Sequence, residues 1–293
     1  MNRPRALAIV NPVAGNGAGA KVARRIADDL ADVGLSVDVV STPGPSEAAR
    51  LASSAGEDGY ETVIAVGGDG TANEVANGLI DTPVTLALYP IGSGNDFARA
   101  LGYPRSRKEL AAFLAAARPR RIDVGEANGR IFLNAAGVGI DGHVAERVIA
   151  SQRVVGPTLG YLVGSIVSIA TYRPRPMRVT IDGTTREGRH LVVVAANGTH
   201  FGSGMKVAPG ATLDDGMLDV IVGGDLGRWA SLVALGKIYF GIHIDGKTIF
   251  AFRSPTLEVT FDAPLPMEID GEAMRADALR VRIRPGALTV LGR

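Results

Sequence analysis

The stretch of sequence most suited to chemistry is a glycine-rich turn, Gly67-Gly68-Asp69-Gly70-Thr71-Ala72-Asn73-Glu74, between an apolar run and a helix-like segment. Its three glycines permit positive φ and close approach of the backbone to a ligand. Successive N–H groups at a helix start can then bind a phosphate. The plain alternative is a helix entry in which Asp69 or Thr71 is only an N-cap. We favour the phosphate loop.

Two similar turns also follow apolar runs. Gly92-Ser93-Gly94-Asn95-Asp96 comes after Thr85–Tyr89, and Asn11-Pro12-Val13-Ala14-Gly15-Asn16-Gly17 comes after Ala6–Val10. The latter lacks the Gly-Lys-Ser/Thr of a P-loop. Ligands of open parallel sheets bind beyond the carboxyl ends of the strands. We therefore expect the three turns to surround one crevice.

Two acidic turns lie later in the chain. The turn Thr212-Leu213-Asp214-Asp215-Gly216-Met217 offers oxygen ligands for Mg²⁺, although a solvated turn is the stronger interpretation from the residues alone. Asp270-Gly271-Glu272 reads first as a hairpin, because Asp182-Gly183 and Asp245-Gly246 show that this chain uses Asp-Gly freely in turns.

The elements that would position these turns follow an α/β pattern up to residue 122. Strands are predicted at Ala6–Val10, Val37–Ser41, Thr62–Val66 and Thr85–Tyr89, and helices at Gly19–Val33, Ser46–Ala55, Thr71–Leu79 and Arg107–Ala117. This alternation predicts a three-layer α/β domain with a parallel sheet over residues 1–122.

From residue 123 to 293 the pattern is mainly β. The predicted strands are Arg130–Gly139, Met177–Asp182, His190–Ala196, Leu218–Val222, Leu257–Phe261, Pro266–Ile269, Leu279–Arg284 and Leu288–Leu291. Hairpin signals predict an antiparallel, β-sandwich-like domain, whose last strand could return to the first domain. Arg118–Arg121 is the predicted crossing. A helix is predicted at Leu226–Tyr239, and we expect the apolar side chains of Leu226–Ile242 to be core rather than a surface that enters lipid.

Taken together, the strings NPVAGNG, GGDGTANE and GSGNDFARALG, with the later LDDGMLDV and DGE, resemble the diacylglycerol kinase catalytic-domain family, which includes bacterial lipid kinases and is related to sphingosine and ceramide kinases. The resemblance covers most of the chain and implies an NAD kinase/diacylglycerol kinase-like fold. It implies ATP and Mg²⁺ as cofactors and a lipid acceptor at the membrane surface.

The resemblance also implies site residues. Nucleotide contacts would be Asn11, Pro12, Val13, Ala14, Gly15, Thr42, Gly67, Gly68, Asp69, Gly70, Thr71, Ala72, Asn73, Glu74, Ser93 and Asn95. A structural cation would take the Asp215 side chain with the carbonyls of Thr212 and Met217, and Asp69, Asp96 and Asp123 would belong to a water–Mg²⁺ network. Glu272 would accept the proton of the acceptor hydroxyl, with Asp270 and Asp69 in the catalytic set.

The expected function is an ATP-dependent lipid kinase, with diacylglycerol as the first choice of acceptor and phosphatidic acid as the product. Alternatives are a kinase of a soluble or other lipid acceptor, since Gly-Gly-Asp-Gly also resembles the NAD kinase motif, and a non-catalytic nucleotide-binding regulator. An enzyme would consume ATP only with its acceptor, whereas a regulator would bind ATP without turnover.

Composition sets the expected compartment and partners. The formal charge of +1 gives no global field for nucleic acid, and the absence of cysteine fits a reducing compartment. The start, Met1–Val10, does not read as a signal peptide, and the apolar run Leu159–Tyr172 is shorter than a bilayer span. We expect a cytoplasmic protein with peripheral contact at the inner face of the membrane, with scope for a homodimer.

Overall fold

The computed structural model describes residues 5–155 and 157–292. It divides into two compact units, one formed by the chain up to Ile122 together with the segment from Gly286 on, and one formed by Asp123–Pro285. The expected fold class is confirmed: parallel strands with helices come first, and an antiparallel β unit follows.

The first unit alternates strands and helices. Its elements are β1 (Arg5–Val10), α1 (Ala14–Ala23), α2 (Ile26–Ala31), β2 (Ser36–Ser41), α3 (Glu47–Ser54), β3 (Thr62–Gly67), α4 (Asp69–Leu79), β4 (Thr85–Pro90), α5 (Asp96–Ala100) and α6 (Arg107–Ala116). The strands are parallel in the order β4-β3-β1-β2. Their side chains are largely buried in β1, β3 and β4, as expected for strands covered on both faces.

The second unit is mainly antiparallel. Its elements are β5 (Arg118–Ala127), which begins in the first unit, β6 (Arg130–Phe132), β7 (Ala135–Gly139), α7 (Ile140–Val155), α8 (Pro157–Thr171), β8 (Arg175–Ile181), β9 (Thr184–His190), β10 (Val192–Ala196), β11 (Leu218–Gly223), α9 (Arg228–Ile238), β12 (Ile249–Ser254), β13 (Thr256–Ile269) and β14 (Glu272–Gly292). The main strand order is β12-β11-β10-β7-β13-β14.

Strand β13 changes partner along its length. Its first half pairs with β8, its second half pairs with β7, and the register against β14 shifts between Thr260 and Leu265. A bulge of this kind bends a strand and lets its two halves pair with different neighbours. The side chains enclosed there, among them Phe132, Val259 and Met267, form a buried core.

Several predicted boundaries were wrong for identifiable reasons. The helix predicted at Gly19–Val33 is two helices, α1 and α2, because Arg25 leaves the helical conformation at φ −135°. Arg118–Arg121, predicted as the crossing, forms the start of strand β5, and the second unit begins shortly after it at Asp123. The two strands predicted at Leu257–Phe261 and Pro266–Ile269 are one strand, β13, and those predicted at Leu279–Arg284 and Leu288–Leu291 are likewise one strand, β14.

The helix predicted at Leu226–Tyr239 is confirmed as α9, but its predicted burial holds for one side, which carries Leu235 and Ile238, and is wrong for the other. Trp229, Val233, Phe240 and Ile242 are exposed, and in α9 itself Ser231 is buried. No helix was predicted at α7 or α8, and no strand at β9 or β12. Among the helices of residues 5–155 and 157–292, none combines the length and hydropathy of a bilayer-spanning segment.

Candidate functional site

Three turns of the first unit meet at the carboxyl ends of β1, β3 and β4, as predicted. The Asn11 Nδ2 donates to Thr71 Oγ1 at 3.2 Å, and the Asn11 Oδ1 accepts the Val13 N–H at 3.2 Å. One amide side chain therefore connects the turn after β1 to the start of α4. The Ile91 N–H in turn donates to the Gly67 carbonyl at 2.9 Å, which joins the turns after β3 and β4.

Glycine is required in these turns because the backbones come very close. A β-carbon on Gly15 would lie 2.3 Å from the Ile91 carbonyl oxygen, and one on Gly92 would lie 2.5 Å from the Gly68 Cα. The positive φ expected for Gly67, Gly68 and Gly70 is wrong, whereas Gly15 adopts φ 59°. Gly70 is different again, since it is exposed and a β-carbon there would have nothing within 4 Å. The space beside Gly70 is open to a ligand.

The carboxylates of the first unit hold the turn after β4 in place. The Asp69 Oδ1 accepts the Phe97 N–H at 3.0 Å at the start of α5. Burial raises the pKa of the Asp69 carboxyl, and the N–H groups of the α5 start oppose that shift. Asp96 is buried and pairs with Arg99 Nη1 at 2.7 Å. Both aspartates are therefore engaged by protein groups at the position predicted for a water–Mg²⁺ network.

Asn95 closes its own turn. It adopts φ 51°, and its side chain accepts the Gly92 N–H at 3.0 Å and donates to the Gly92 carbonyl at 2.7 Å. The neighbouring Ser93 and, after β1, Val13 are exposed, whereas Thr42 at the end of β2 is buried. The structure therefore brings the predicted nucleotide residues to one edge of the sheet with some side chains presented and others used to build the turns.

In the second unit, Asp270-Gly271 forms the two-residue hairpin between β13 and β14, with φ 45° and 86°. The Asp270 carboxylate accepts three backbone N–H groups, from Leu133 at 2.7 Å, Asn134 at 2.9 Å and Ala135 at 3.1 Å. These bonds draw the chain out of the strand predicted at Arg130–Gly139 and divide it into β6 and β7. Asp270 thus fixes the hairpin to the rest of the unit.

Glu272 begins β14 with an exposed side chain. Its Oε2 forms an ion pair with the Arg130 guanidinium of β6. A base at this position would have to leave Arg130 to take a proton from a hydroxyl group. The carboxylate is nonetheless presented to solvent, whereas the Asp270 carboxylate is held by backbone N–H groups.

The acidic turn before β11 is organised around Asp215 and Asp123. The Asp215 Oδ2 contacts the Thr212 hydroxyl and the Arg253 guanidinium, and its Oδ1 accepts the Met217 N–H at 3.0 Å. Buried Asp123 on β5 accepts the Gly216 N–H at 2.7 Å and so holds the turn that carries Asp215. Arg253 already supplies the positive charge beside Asp215, and the arrangement does not fit a resident Mg²⁺ unless that guanidinium is displaced. No three His, Asp or Glu side chains cluster as metal ligands within residues 5–155 and 157–292.

Sequence analysis missed a buried pair of carboxyl groups, Asp141 at the start of α7 and Glu268 on β13. Burial raises the pKa of Asp141 to about 7, and burial together with the neighbouring Asp141 raises the pKa of Glu268 well above its usual value. The Glu268 Oε2 accepts the Gly271 N–H at 2.6 Å, which connects the pair to the hairpin. The available signal was one glutamate inside the apolar run Leu265–Ile269.

An apolar cavity of about 140 Å³ lies in the same unit. Its walls come from α7, α8, α9 and the sheet, and they include Ile140, Ile169, Leu191, Val194, Met205, Ile221, Leu235 and Ile238. Asp141 lies in the wall. A path of contacts therefore runs from the cavity through Asp141 and Glu268 to the Gly271 N–H, next to Glu272. An apolar pocket with a few convergent polar groups is the usual form of a site for a largely apolar ligand.

Two protein-family models together match most of the chain. Residues 5–127 match the diacylglycerol kinase catalytic domain, and residues 134–292 match the YegS C-terminal NAD kinase beta sandwich-like domain. A Pseudomonas putida protein described as "Probable lipid kinase YegS-like" is 33% identical over 90% of this chain and 88% of its own length, and the "Diacylglycerol kinase" of Bacillus subtilis is 30% identical over 92% and 89%.

The fold comparison covers the whole chain. The crystal structure of a diacylglycerol kinase from Bacillus anthracis superposes with a TM-score of 0.78 at 25% identity, covering 100% of this chain and 98% of that one. Both halves of the sequence and the fold thus lead to one assignment, and the chain belongs to the lipid kinase family that unites diacylglycerol kinases and YegS-like proteins.

Proposed function

We propose that this lipid kinase transfers the γ-phosphoryl group of ATP to the hydroxyl of a diacylglycerol and so forms phosphatidic acid. The observation that carries the proposal is the apolar cavity, whose wall residue Asp141 is connected through Glu268 to the turn that bears Glu272. An apolar cavity favours an acceptor with an acyl chain over a soluble, polar one. A lipid acceptor would place an acyl chain there.

The nucleotide part of the proposal rests on the glycine turns. Open space beside Gly70, at the start of α4, offers backbone N–H groups and the positive end of a helix to the phosphates. Asn11, Asp69 and Asn95 keep the three turns in register through side-chain bonds to their neighbours. Mg²⁺ that enters with ATP would offset the charge of the β- and γ-phosphates.

In the proposed reaction, Glu272 takes the proton of the lipid hydroxyl while the hydroxyl oxygen bonds to the γ-phosphorus and the bond from that phosphorus to the bridging oxygen of ADP breaks. Asp270 is a positioning residue, because its carboxylate is committed to three backbone N–H groups. Asp69 plays a similar part for the turn after β4. Arg130, paired with Glu272, is released when the acceptor binds.

A panel of lipids tests the proposal. Purified protein with Mg²⁺ and ATP is offered diacylglycerol, a sphingoid base, phosphatidylinositol and monoacylglycerol in mixed micelles, and NAD in solution. The expected result is rapid phosphorylation of diacylglycerol and none of NAD. Preference for another lipid would correct the acceptor, and turnover of NAD alone would overturn the lipid assignment. ATP binding without turnover on any acceptor would leave a nucleotide-binding regulator.

A further inference from the structure

The outer side of α9 and the turn after it present an unusual apolar surface. Trp229 is 82% exposed, Phe240 76%, Ile242 64% and Val233 58%. Scattered apolar side chains are common on protein surfaces, but several large ones within about fifteen residues form a patch that usually contacts something. We call Trp229, Leu232, Val233, Tyr239, Phe240 and Ile242 the α9 face.

The opposite side of the same helix lines the apolar cavity. Ala234, Leu235 and Ile238 of α9 lie in the cavity wall. Helix α8, which packs against α9, is arranged in the same way: Ser165 and Ile169 line the cavity while Leu162 and Ile166 are exposed. Two helices that are apolar on both sides therefore separate the cavity from the exterior. A helix apolar all round is not typical of a surface that meets only water.

The charges around the α9 face are positive. From Leu226 to Ile244 the chain contains Arg228 and Lys237 and no carboxylate. Both cations are exposed, and neither has an ion pair within the described part of the chain. The Lys206 side chain lies beside Gly241, in the turn that carries Phe240 and Ile242.

The acidic residues just outside this segment are engaged elsewhere. Asp225 pairs with Arg189 at 3.4 Å. Asp245 accepts the N–H groups of Lys247, Thr248 and Ile249 within its own turn, and these bonds lower the pKa of its carboxyl. The apolar patch is therefore bordered by cations, with Trp229 and Tyr239 among its members. This combination is characteristic of surfaces that lie in the headgroup region of a membrane.

We propose that the α9 face docks onto an anionic lipid bilayer, with its apolar side chains at the level of the headgroups and with Arg228, Lys237 and Lys206 against lipid phosphates. The inference rests on the proposed function in one respect: the acceptor would enter the cavity from the bilayer that α8 and α9 contact. A second copy of the chain is a poorer occupant, because its α9 face would bring the same cations against these.

Trp229 gives a direct test, because it is the one tryptophan of the chain. Its emission is recorded while the protein is titrated with vesicles of phosphatidylcholine, with or without phosphatidylserine, and with brominated phosphatidylcholine as a quencher. We expect a blue shift and quenching, with tighter binding to the anionic vesicles by about fivefold for each cation engaged, and weaker binding at high salt. Unchanged emission in both vesicle types would overturn the proposal.

Two variants and a control locate the surface. Val233→Glu with Phe240→Glu should weaken vesicle binding by at least about tenfold, because charged groups would replace two apolar side chains that enter the headgroup region. Arg228→Glu with Lys237→Glu should abolish the preference for anionic vesicles. Lys108→Glu on α6 is the matched control, with an exposed lysine in the first unit, and should bind as wild type does. Equal binding by all variants would refute the α9 face.

Sedimentation measurements of the oligomeric state test whether a second copy of the chain, rather than a bilayer, covers the α9 face. If the wild type is a dimer that Val233→Glu with Phe240→Glu converts to a monomer, and no vesicle binding is seen, the surface is an interface between copies and the proposal is wrong.

Activity then separates this inference from the proposed function. The Val233→Glu, Phe240→Glu variant should phosphorylate a short-chain, monomeric diacylglycerol as fast as wild type and lose at least about tenfold on diacylglycerol in anionic vesicles. Equal activity on vesicle lipid would overturn the docking surface and leave the lipid kinase. If the wild type binds vesicles but phosphorylates no lipid, the docking surface is kept and the proposed lipid kinase function is wrong.

Discussion

The glycine turns of the first unit and the acidic turns of the second are built on different principles. Around Gly68 and Gly92 the backbones themselves are in contact, and side chains such as Asn95 serve to close the turns. In the second unit the carboxylates of Asp270 and Asp215 organise the chain, one through backbone N–H groups and the other through Arg253. Where two backbones touch, as at Gly15 and Gly92, a β-carbon does not fit, whereas a turn built by a carboxylate depends on the partner that the carboxylate holds.

The largest effect is expected at Glu272, whose exposed carboxylate is the proposed base. Glu272→Gln keeps size and polarity but removes the base, so single-turnover phosphorylation of diacylglycerol in mixed micelles should slow by roughly 10² to 10⁴. ATP affinity measured by calorimetry should be unchanged. Arg130→Gln is the matched control, since it removes the ion-pair partner and keeps the base. Turnover of Glu272→Gln within a few-fold of wild type would show that Glu272 is not the base.

Substitutions in the glycine turns should lower the affinity for ATP. Gly68→Val places a β-carbon about 3.3 Å from the Gly92 Cα and should abolish measurable ATP binding. Gly70→Ala meets no protein atom within 4 Å, so the fold should keep its stability while ATP binds at least about tenfold more weakly if phosphate occupies that space.

Calorimetry with ATP and thermal unfolding without it separate these two effects. Unchanged ATP affinity in folded Gly70→Ala would place the phosphates elsewhere.

Substitutions of the two aspartates, Asp270 and Asp215, should differ in how much they lower the free energy of unfolding. Asp270→Ala leaves three backbone N–H groups without their acceptor and should lower the free energy of unfolding by about 2–4 kcal/mol. Asp215→Ala removes a more exposed ion pair and should cost about 1 kcal/mol or less. Urea unfolding of both variants measures the difference, and equal losses would contradict the distinction between backbone-held and guanidinium-held carboxylates.

The predicted cation site at Asp215 can be tested by removing the Arg253 guanidinium, which occupies the position beside the carboxylate. If a cation can replace the Arg253 guanidinium, Arg253→Gln should increase the rise in melting temperature that Mg²⁺ gives, by about 1–3 °C, and Asp215→Ala should abolish that increase. Thermal unfolding with Mg²⁺ and with EDTA provides the measurement. The same Mg²⁺ response in wild type, Arg253→Gln and Asp215→Ala would exclude a cation at this turn.

A smaller, pH-dependent effect comes from Asp141 and Glu268. The pKa of Asp141 is raised to about 7 in the folded protein, and that of Glu268 is raised well above its usual value. The stability that their protonation gives is therefore complete below the ordinary carboxyl pKa of about 4 and is lost as pH rises through the folded values. The melting temperature should fall between about pH 4.5 and 7.5, and Glu268→Gln, which carries no titrating proton, should reduce that fall. An identical pH profile for both proteins would show that the pair does not titrate in this range.

Local patterns in the sequence predicted the elements that are determined by residues close together in the chain. The strands of the first unit, the turns that follow them and the Asp270-Gly271 hairpin all follow from short runs of apolar residues and turn residues. The Asp141–Glu268 pair depends on two residues far apart in the chain, and no local pattern encodes that contact. The exposure of α9 was equally hidden, because apolar residues at helical spacing look the same whether they face a core or a lipid surface.

Strand β14 has a consequence for synthesis of the protein. Its last residues pair with β4, with Val290 opposite Leu86, so the parallel sheet of the first unit gains a strand from the far end of the sequence. While the ribosome is still translating the second unit, β4 has an open edge that could pair with another chain. The nascent first unit must therefore stay incomplete until residues 286–292 emerge, and it should need chaperone protection for that interval.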